Sequence, residues 1–100
     1  MRLADLEEVR GAQIRGDMII DVRESYEYAQ GHVHGAINIP LSILQNRIDD
    51  IPRGRDVYVI CQSGSRSLTG ATILNRAGIE AASVVGGTSG WKDAGFAIVA

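Results

Sequence analysis

The chain has 100 residues, 45% of them apolar and 22% charged, which is the composition of one ordinary globular domain and excludes disorder and most multidomain readings. Twelve acids against ten bases leave a formal charge of -2 without runs of either sign, so no face clusters enough Lys and Arg for nucleic acid and none is expected to bind. No apolar stretch approaches a membrane span, and Met1 to Glu8 is acidic where a secretory leader is basic and then apolar; the expectation is a cytoplasmic protein with no membrane partner, residues 1–100 forming a single domain around one core.

In chain order, Asp5 caps a short helix whose acids precede Arg10, with Gly11 at its end. Met18-Ile19-Ile20 reads as a buried strand ending at Asp21. Glu24 to Gln30 reads as a helix stopped by Gly31, and Ala36 to Ile39 alternates as a short strand closed by Pro40. From Leu41, the apolar positions Ile43, Leu44 and Ile48 recur at helical spacing, with Ser42 as cap and Pro52-Arg53-Gly54 as stop. Val57-Tyr58-Val59-Ile60 is four β-favouring residues without alternation, the pattern of a strand covered on both faces, and belongs at the centre. Ser67 is expected to cap a helix running to Ala77, with Leu68, Ala71, Leu74 and Ala77 as its apolar side and Gly78 at its end. Ala82 to Val85 is another strand, and Gly86-Gly87 leads into a last short helix around Trp91. Strands alternating with helical crossovers predict an α/β fold, a central parallel sheet with helices on both faces.

Cys61 is the only cysteine, so it has no internal disulfide partner and cannot belong to a four-cysteine metal site. A lone cysteine at a strand end is ordinarily a small buried hydrophobe. Here it lies just after the central strand and just before a helix N-terminus, where open α/β sheets bind ligands. Cys61-Gln62-Ser63-Gly64-Ser65-Arg66 is small-residue-rich, with one glycine. Such a loop can curl its backbone N–H groups inward as an anion cup and favour the thiolate below the free-cysteine pKa of about 8.5. A cation in the first turn of a helix opposes the dipole and calls for an anion nearby, so Arg66 is read as part of that cup.

These residues resemble the rhodanese-like sulfurtransferases. Asp21-Val22-Arg23-Glu24, Glu27-Tyr28 and Gly31-His32-Val33-His34-Gly35-Ala36-Ile37-Asn38-Ile39-Pro40 are similar to the family's first signature, Cys61 through Ser67 to its active-site loop, and Gly86-Gly87, Trp91 and Gly95-Phe96 to its closing signature. The resemblance spans nearly the whole chain, with Ala97 standing where a proline often follows. It implies a rhodanese-like three-layer domain. The activity it implies is sulfur transfer without a cofactor: Cys61 takes sulfane sulfur from a small anionic donor such as thiosulfate, forms a persulfide, and passes it to cyanide, a thiol or a partner protein. Gln62, Ser63, Gly64, Ser65, Arg66 and Ser67 are then the substrate-binding loop, their N–H groups holding the charged sulfur, with Ser63 and Ser65 as secondary donors. Two other readings are weighed. Rhodanese-like domains also occur as noncatalytic or regulatory binding modules, against which the intact Cys61 and Arg66 argue. Cysteine phosphatases and arsenate reductases need one more residue between cysteine and arginine than the four found here, and Ser67 stands where that arginine would be.

Asp21 and Arg23 are candidates for lining the site, with an ion pair holding Glu24 or Glu27 and the loop as the equal alternative. His32, His34 and Cys61 would supply three zinc ligands, but His-x-His is a loose signal and a metal would occupy the thiolate, so no metal is expected. Trp91 reads as a packing anchor under the last loop.

Overall fold

The computed structural model describes residues 2–100. The elements run β1 (Arg2–Ala4), α1 (Leu6–Arg15), β2 (Met18–Asp21), α2 (Ser25–Gln30), β3 (His32–Val33), β4 (Ile37–Asn38), α3 (Leu41–Leu44) with a 3₁₀ continuation over Gln45–Asp50, β5 (Asp56–Ile60), α4 (Ser65–Arg76), β6 (Glu80–Val84), α5 (Gly87–Asp93) and β7 (Ile98–Val99). Five strands form one parallel sheet in the order β1-β6-β5-β2-β4, which puts β5 at the centre. Because side chains alternate across a strand, Val57, Val59 and Cys61 enter one core layer, with Ala71 and Leu74 of α4. Tyr58 and Ile60 enter the other, with Val9 and Ala12 of α1 and Trp91 of α5. Both faces are covered, which is why β5 is apolar at successive positions. The expected α/β architecture is the one observed.

Several boundaries differ from the sequence expectation. α1 does not stop at Gly11. Asp5 accepts the Glu8 N–H at 2.8 Å as expected, but burial of Val9 and Ala12 carries the helix on to Arg15, and the stop is Gly16 at φ 80°. A Gly in a helix interior costs only about 1 kcal/mol, less than that packing returns. The edge strand β1 was not anticipated, since its three residues carry no period; it exists because Arg2, Leu3 and Ala4 align with Ala82, Ser83 and Val84. Ser42 is not a cap. Pro40 holds that place, and the segment tightens into 3₁₀ geometry after Leu44. α4 begins two residues before Ser67, with Gly64 as N-cap. Its buried side is Ser67, Gly70, Ala71 and Leu74, while Leu68 is 42% exposed. A Cβ on Gly70 would lie 3.0 Å from Val59, so the glycine lets α4 lie close on the sheet. β6 begins at Glu80, and Val85 lies beyond its end, exposed. The strand expected over Ala36 to Ile39 shortens to Ile37–Asn38, paired with Ile20 and Asp21 at the sheet edge. β3 and β7 form an unanticipated antiparallel pair.

Candidate active site

Cys61 follows β5 directly and is 1% exposed. Its Sγ lies 3.1 Å from the Gly64 N and 3.3 Å from the Ser67 N, both N–H groups donating to it. The loop can turn that sharply because Gly64 sits at φ 110°, a region a side chain would oppose. In the thiol form, Sγ donates to Ser67 Oγ at 3.5 Å. Ser67 is itself fully buried, and its Oγ lies 2.7 Å from Ser83 Oγ.

The loop's carbonyls are held on its opposite side by the start of α5. Thr88 N–H donates to the Cys61 carbonyl at 2.8 Å, with the Thr88 hydroxyl adding a second bond at 3.0 Å, and Ser89 N–H donates to the Gln62 carbonyl at 3.0 Å. Gly87 makes that approach possible. It has φ 59°, and a Cβ there would sit 2.6 Å from the Cys61 carbonyl oxygen. With its carbonyls facing α5, the loop keeps N–H groups free for the sulfur.

Burial is the largest single influence on the Cys61 thiol and pushes its pKa up. The Ser67 hydroxyl and the N–H groups of Ser67, Gly64 and Ser63 together outweigh it, so the thiol titrates below its ordinary range. Those donors favour the thiolate, the form in which a cysteine acts as a nucleophile.

Arg66 lies at the edge of the loop and has a partner within the protein. The anion that its position calls for is a side chain of the protein: both guanidinium ends donate to both Glu27 carboxylate oxygens, at 2.7 and 2.9 Å. The hydrogen bonds from Arg66 bring the Glu27 pKa down to about 2 against the cost of burial, with the Glu24 N–H helping. The sequence offers Glu24 or Glu27 only as a group held by an ion pair of Asp21 or Arg23, the alternative to those two lining the site. The missed signal was that Glu27, at the third position of α2, faces across to the first turn of α4.

Asp21 and Arg23 make a buried pair, 0% and 3% exposed. Arg23 Nη2 donates to Asp21 at 2.8 Å and to the Gly31 carbonyl at 2.8 Å, while Nη1 donates to Gln62 Oε1 at 3.0 Å. Gln62 in turn donates through Nε2 to Ser89 Oγ at 2.7 Å. Neither Asp21 nor Arg23 hydrogen-bonds to Cys61; through Arg23 the pair braces Gln62 from the β2 side. Arg23, Glu27, Gln62, Ser89 and Lys92 line a cleft of about 420 Å³ beside the loop. The Ser63 and Ser65 hydroxyls make no bond to Cys61.

His32, His34 and Cys61 do not assemble a zinc site: among the described residues no three His, Cys, Asp or Glu side chains converge in a way that could hold a metal ion. His32 stacks on Tyr28 with ring centroids 3.6 Å apart and contacts the Tyr28 carbonyl through Nδ1, while His34 is exposed. Trp91 is the packing anchor expected, 1% exposed, its Nε1 donating to the Ala97 carbonyl at 3.1 Å. No helix among the described residues is long and apolar enough to cross a membrane.

The rhodanese-like domain family matches residues 5–94. A sulfurtransferase of Allochromatium vinosum is 34% identical over 100 residues, covering 99% of this chain and 86% of its own length. A rhodanese-related protein of Thermoplasma volcanium superposes with a TM-score of 0.91 at 29% identity, over 99% of this chain and 98% of that one. The human single-domain sulfurtransferase TSTD1 superposes at 0.85 with 25% identity, over 93% and 96%. With the loop geometry and these likenesses together, the chain belongs to the rhodanese-like family, which includes sulfurtransferases.

Proposed function

We propose that this chain, acting as one rhodanese-like unit, is a sulfurtransferase that carries sulfane sulfur as a persulfide on Cys61. The observation that carries the reading is the pair of N–H groups from Gly64 and Ser67 aimed at Sγ. Donors placed there stabilise a negative sulfur, first the thiolate and then the persulfide that replaces it.

With thiosulfate as donor, the Cys61 thiolate attacks the outer sulfur. The new Sγ–S bond forms as the original S–S bond breaks, and sulfite leaves with the electron pair. The acceptor, whether cyanide, a thiolate or a partner protein's cysteine, then attacks the terminal sulfur, and Cys61 leaves as thiolate with the bonding pair. The chemistry needs no cofactor. Arg66 stands at the edge of the loop, 38% exposed at its side chain, where it draws an anionic donor by charge while sharing Glu27. The proposed setting is the cytoplasm, whose reducing conditions keep a single thiol free.

Incubation with thiosulfate and no acceptor is expected to add one sulfur to Cys61, seen as a single-sulfur mass increase that disappears with cyanide or a reducing thiol. Cys61→Ser, nearly isosteric, retains the fold and loses both loading and transfer. A fast-alkylating Cys61 that takes no reversible adduct from any sulfane donor would overturn the reading in favour of a binding module.

A further inference from the structure

Three side chains from three different elements meet beneath the loop: Cys61 after β5, Ser67 in α4 and Ser83 in β6, each 1% exposed or less. Ser67 Oγ stands 3.5 Å from Sγ on one side and 2.7 Å from Ser83 Oγ on the other. A strand covered on both faces is apolar by default, and Ala81, Ala82 and Val84 of β6 obey that rule while Ser83 breaks it. Burying a hydroxyl there costs free energy unless it is hydrogen-bonded, and its partner is Ser67. We propose that Ser83 is a positioning residue: its hydroxyl donates to Ser67 Oγ and thereby holds the Ser67 hydrogen on the Cys61 sulfur.

The direction of the chain follows from counting hydrogens. When sulfur is a thiolate, Ser83 donates to Ser67 and Ser67 donates to Sγ, so each hydroxyl hydrogen has an acceptor. When sulfur carries the proton, the order reverses, Sγ donating to Ser67 and Ser67 to Ser83. The Ser83 hydrogen is then left without an acceptor among the described residues. Ser83 therefore favours the ionised sulfur without touching it, and a donor that itself accepts a hydrogen bond is strengthened by it.

The charged groups near Cys61 do not supply this effect. They are Arg66 of α4, bound to Glu27 of α2, and the Asp21–Arg23 pair after β2, engaged with Gln62 and Gly31. β6 and the start of α5 contribute hydroxyls here, Ser83 and Thr88.

The inference rests on Cys61 as the nucleophile proposed above, and its test uses alkylation, which needs no sulfur donor, so failure of sulfur loading is read separately. Iodoacetamide alkylation of the intact protein is measured across pH for wild type, Ser83→Ala, Ser67→Ala and the double variant, with folding monitored by circular dichroism. Ser83→Ala is expected to move the alkylation midpoint up by about half a pH unit, about a threefold loss of thiolate below the midpoint. On the Ser67→Ala background the same substitution moves it no further, since Ser83 acts only through Ser67. Ser83→Thr keeps a hydroxyl and restores the wild-type midpoint. An unchanged midpoint in folded Ser83→Ala, or an equal shift without the Ser67 hydroxyl, overturns the proposal. Should Ser83→Ala not fold, a Ser83→Thr midpoint shifted like that of Ser67→Ala would do so.

Discussion

Arg66 and Glu27 form a two-point ion pair across the edge of the Cys61 loop, with N–O distances of 2.7 and 2.9 Å. The pair joins the first turn of α4 to α2, so the cation beside Cys61 is matched by a carboxylate of the same chain. Under the proposed function an anionic donor would meet Arg66 already shared, and the strength of its attraction would depend on how much of that charge Glu27 cancels.

Replacing Arg66 with Ala is expected to lower kcat/KM for thiosulfate about tenfold, the effect of one charge-assisted hydrogen bond, while the Cys61 alkylation rate changes little. Glu27→Gln removes the competing negative charge and should raise kcat/KM for thiosulfate at low salt. Because both ends of the pair are partly exposed, that gain shrinks as ionic strength rises. Steady-state kinetics at two salt concentrations check both. Unchanged thiosulfate use in Arg66→Ala would make that residue a structural tie only.

The same pair sets an acid limit. Glu27 titrates near 2 in the folded chain against 4.5 for a free glutamate. A depressed carboxyl pKa contributes stability that is fully present above the unfolded value and is lost as pH falls through the folded one. Wild type should therefore lose stability relative to Glu27→Gln between about pH 4.5 and pH 2. With Arg66 partly exposed the difference is at most about 1 kcal/mol. Urea denaturation at pH 7 and pH 3 measures it.

Arg23→Met leaves the Asp21 carboxylate buried and unpaired at 0% exposure. Breaking a buried pair from one side costs about 3–5 kcal/mol, a large share of the stability of a 100-residue domain. The same change releases Gln62 Oε1 from its 3.0 Å donor, so activity should fall by more than the unfolded fraction accounts for. Thermal unfolding and kcat in the folded fraction separate the two effects.

Gly87→Ala puts a methyl 2.6 Å from the Cys61 carbonyl oxygen and 2.7 Å from the Gln62 backbone, at a φ of 59°. The loop and α5 must separate, breaking the Thr88 and Ser89 bonds that orient the loop carbonyls. Sulfur loading is expected to be nearly abolished. Gly16→Ala also meets a positive φ, 80°, but has open space around it, and should cost stability while sparing activity. Mass spectrometry after thiosulfate treatment compares the two.

Much of this protein was legible in the order of its residues. Local signals are strongest where one residue type has a single physical use. The apolar run Val57 to Ile60 declared a doubly covered strand, and Cys61 followed by small residues and Gly64 declared a curled loop at a helix start. Asp5 declared a cap, and the alternation of strands and helices declared a parallel sheet. What the sequence could not show was pairing between distant elements, because such contacts leave no period. The strand character of Arg2–Ala4 and Ile98–Val99 comes only from their partners in β6 and β3. Leu68 has the spacing of a core residue, yet the rotation of α4 turns Ser67 and Gly70 inward instead. Glu27 and Arg66 are 39 positions apart, and only the tertiary structure, which brings α2 to the first turn of α4, gives that cation a partner within the protein. Ser83 reads in sequence as an ordinary polar residue in a weak strand. The register of β6 against β5, with α4 laid across both, brings its hydroxyl to Ser67 and so to the sulfur.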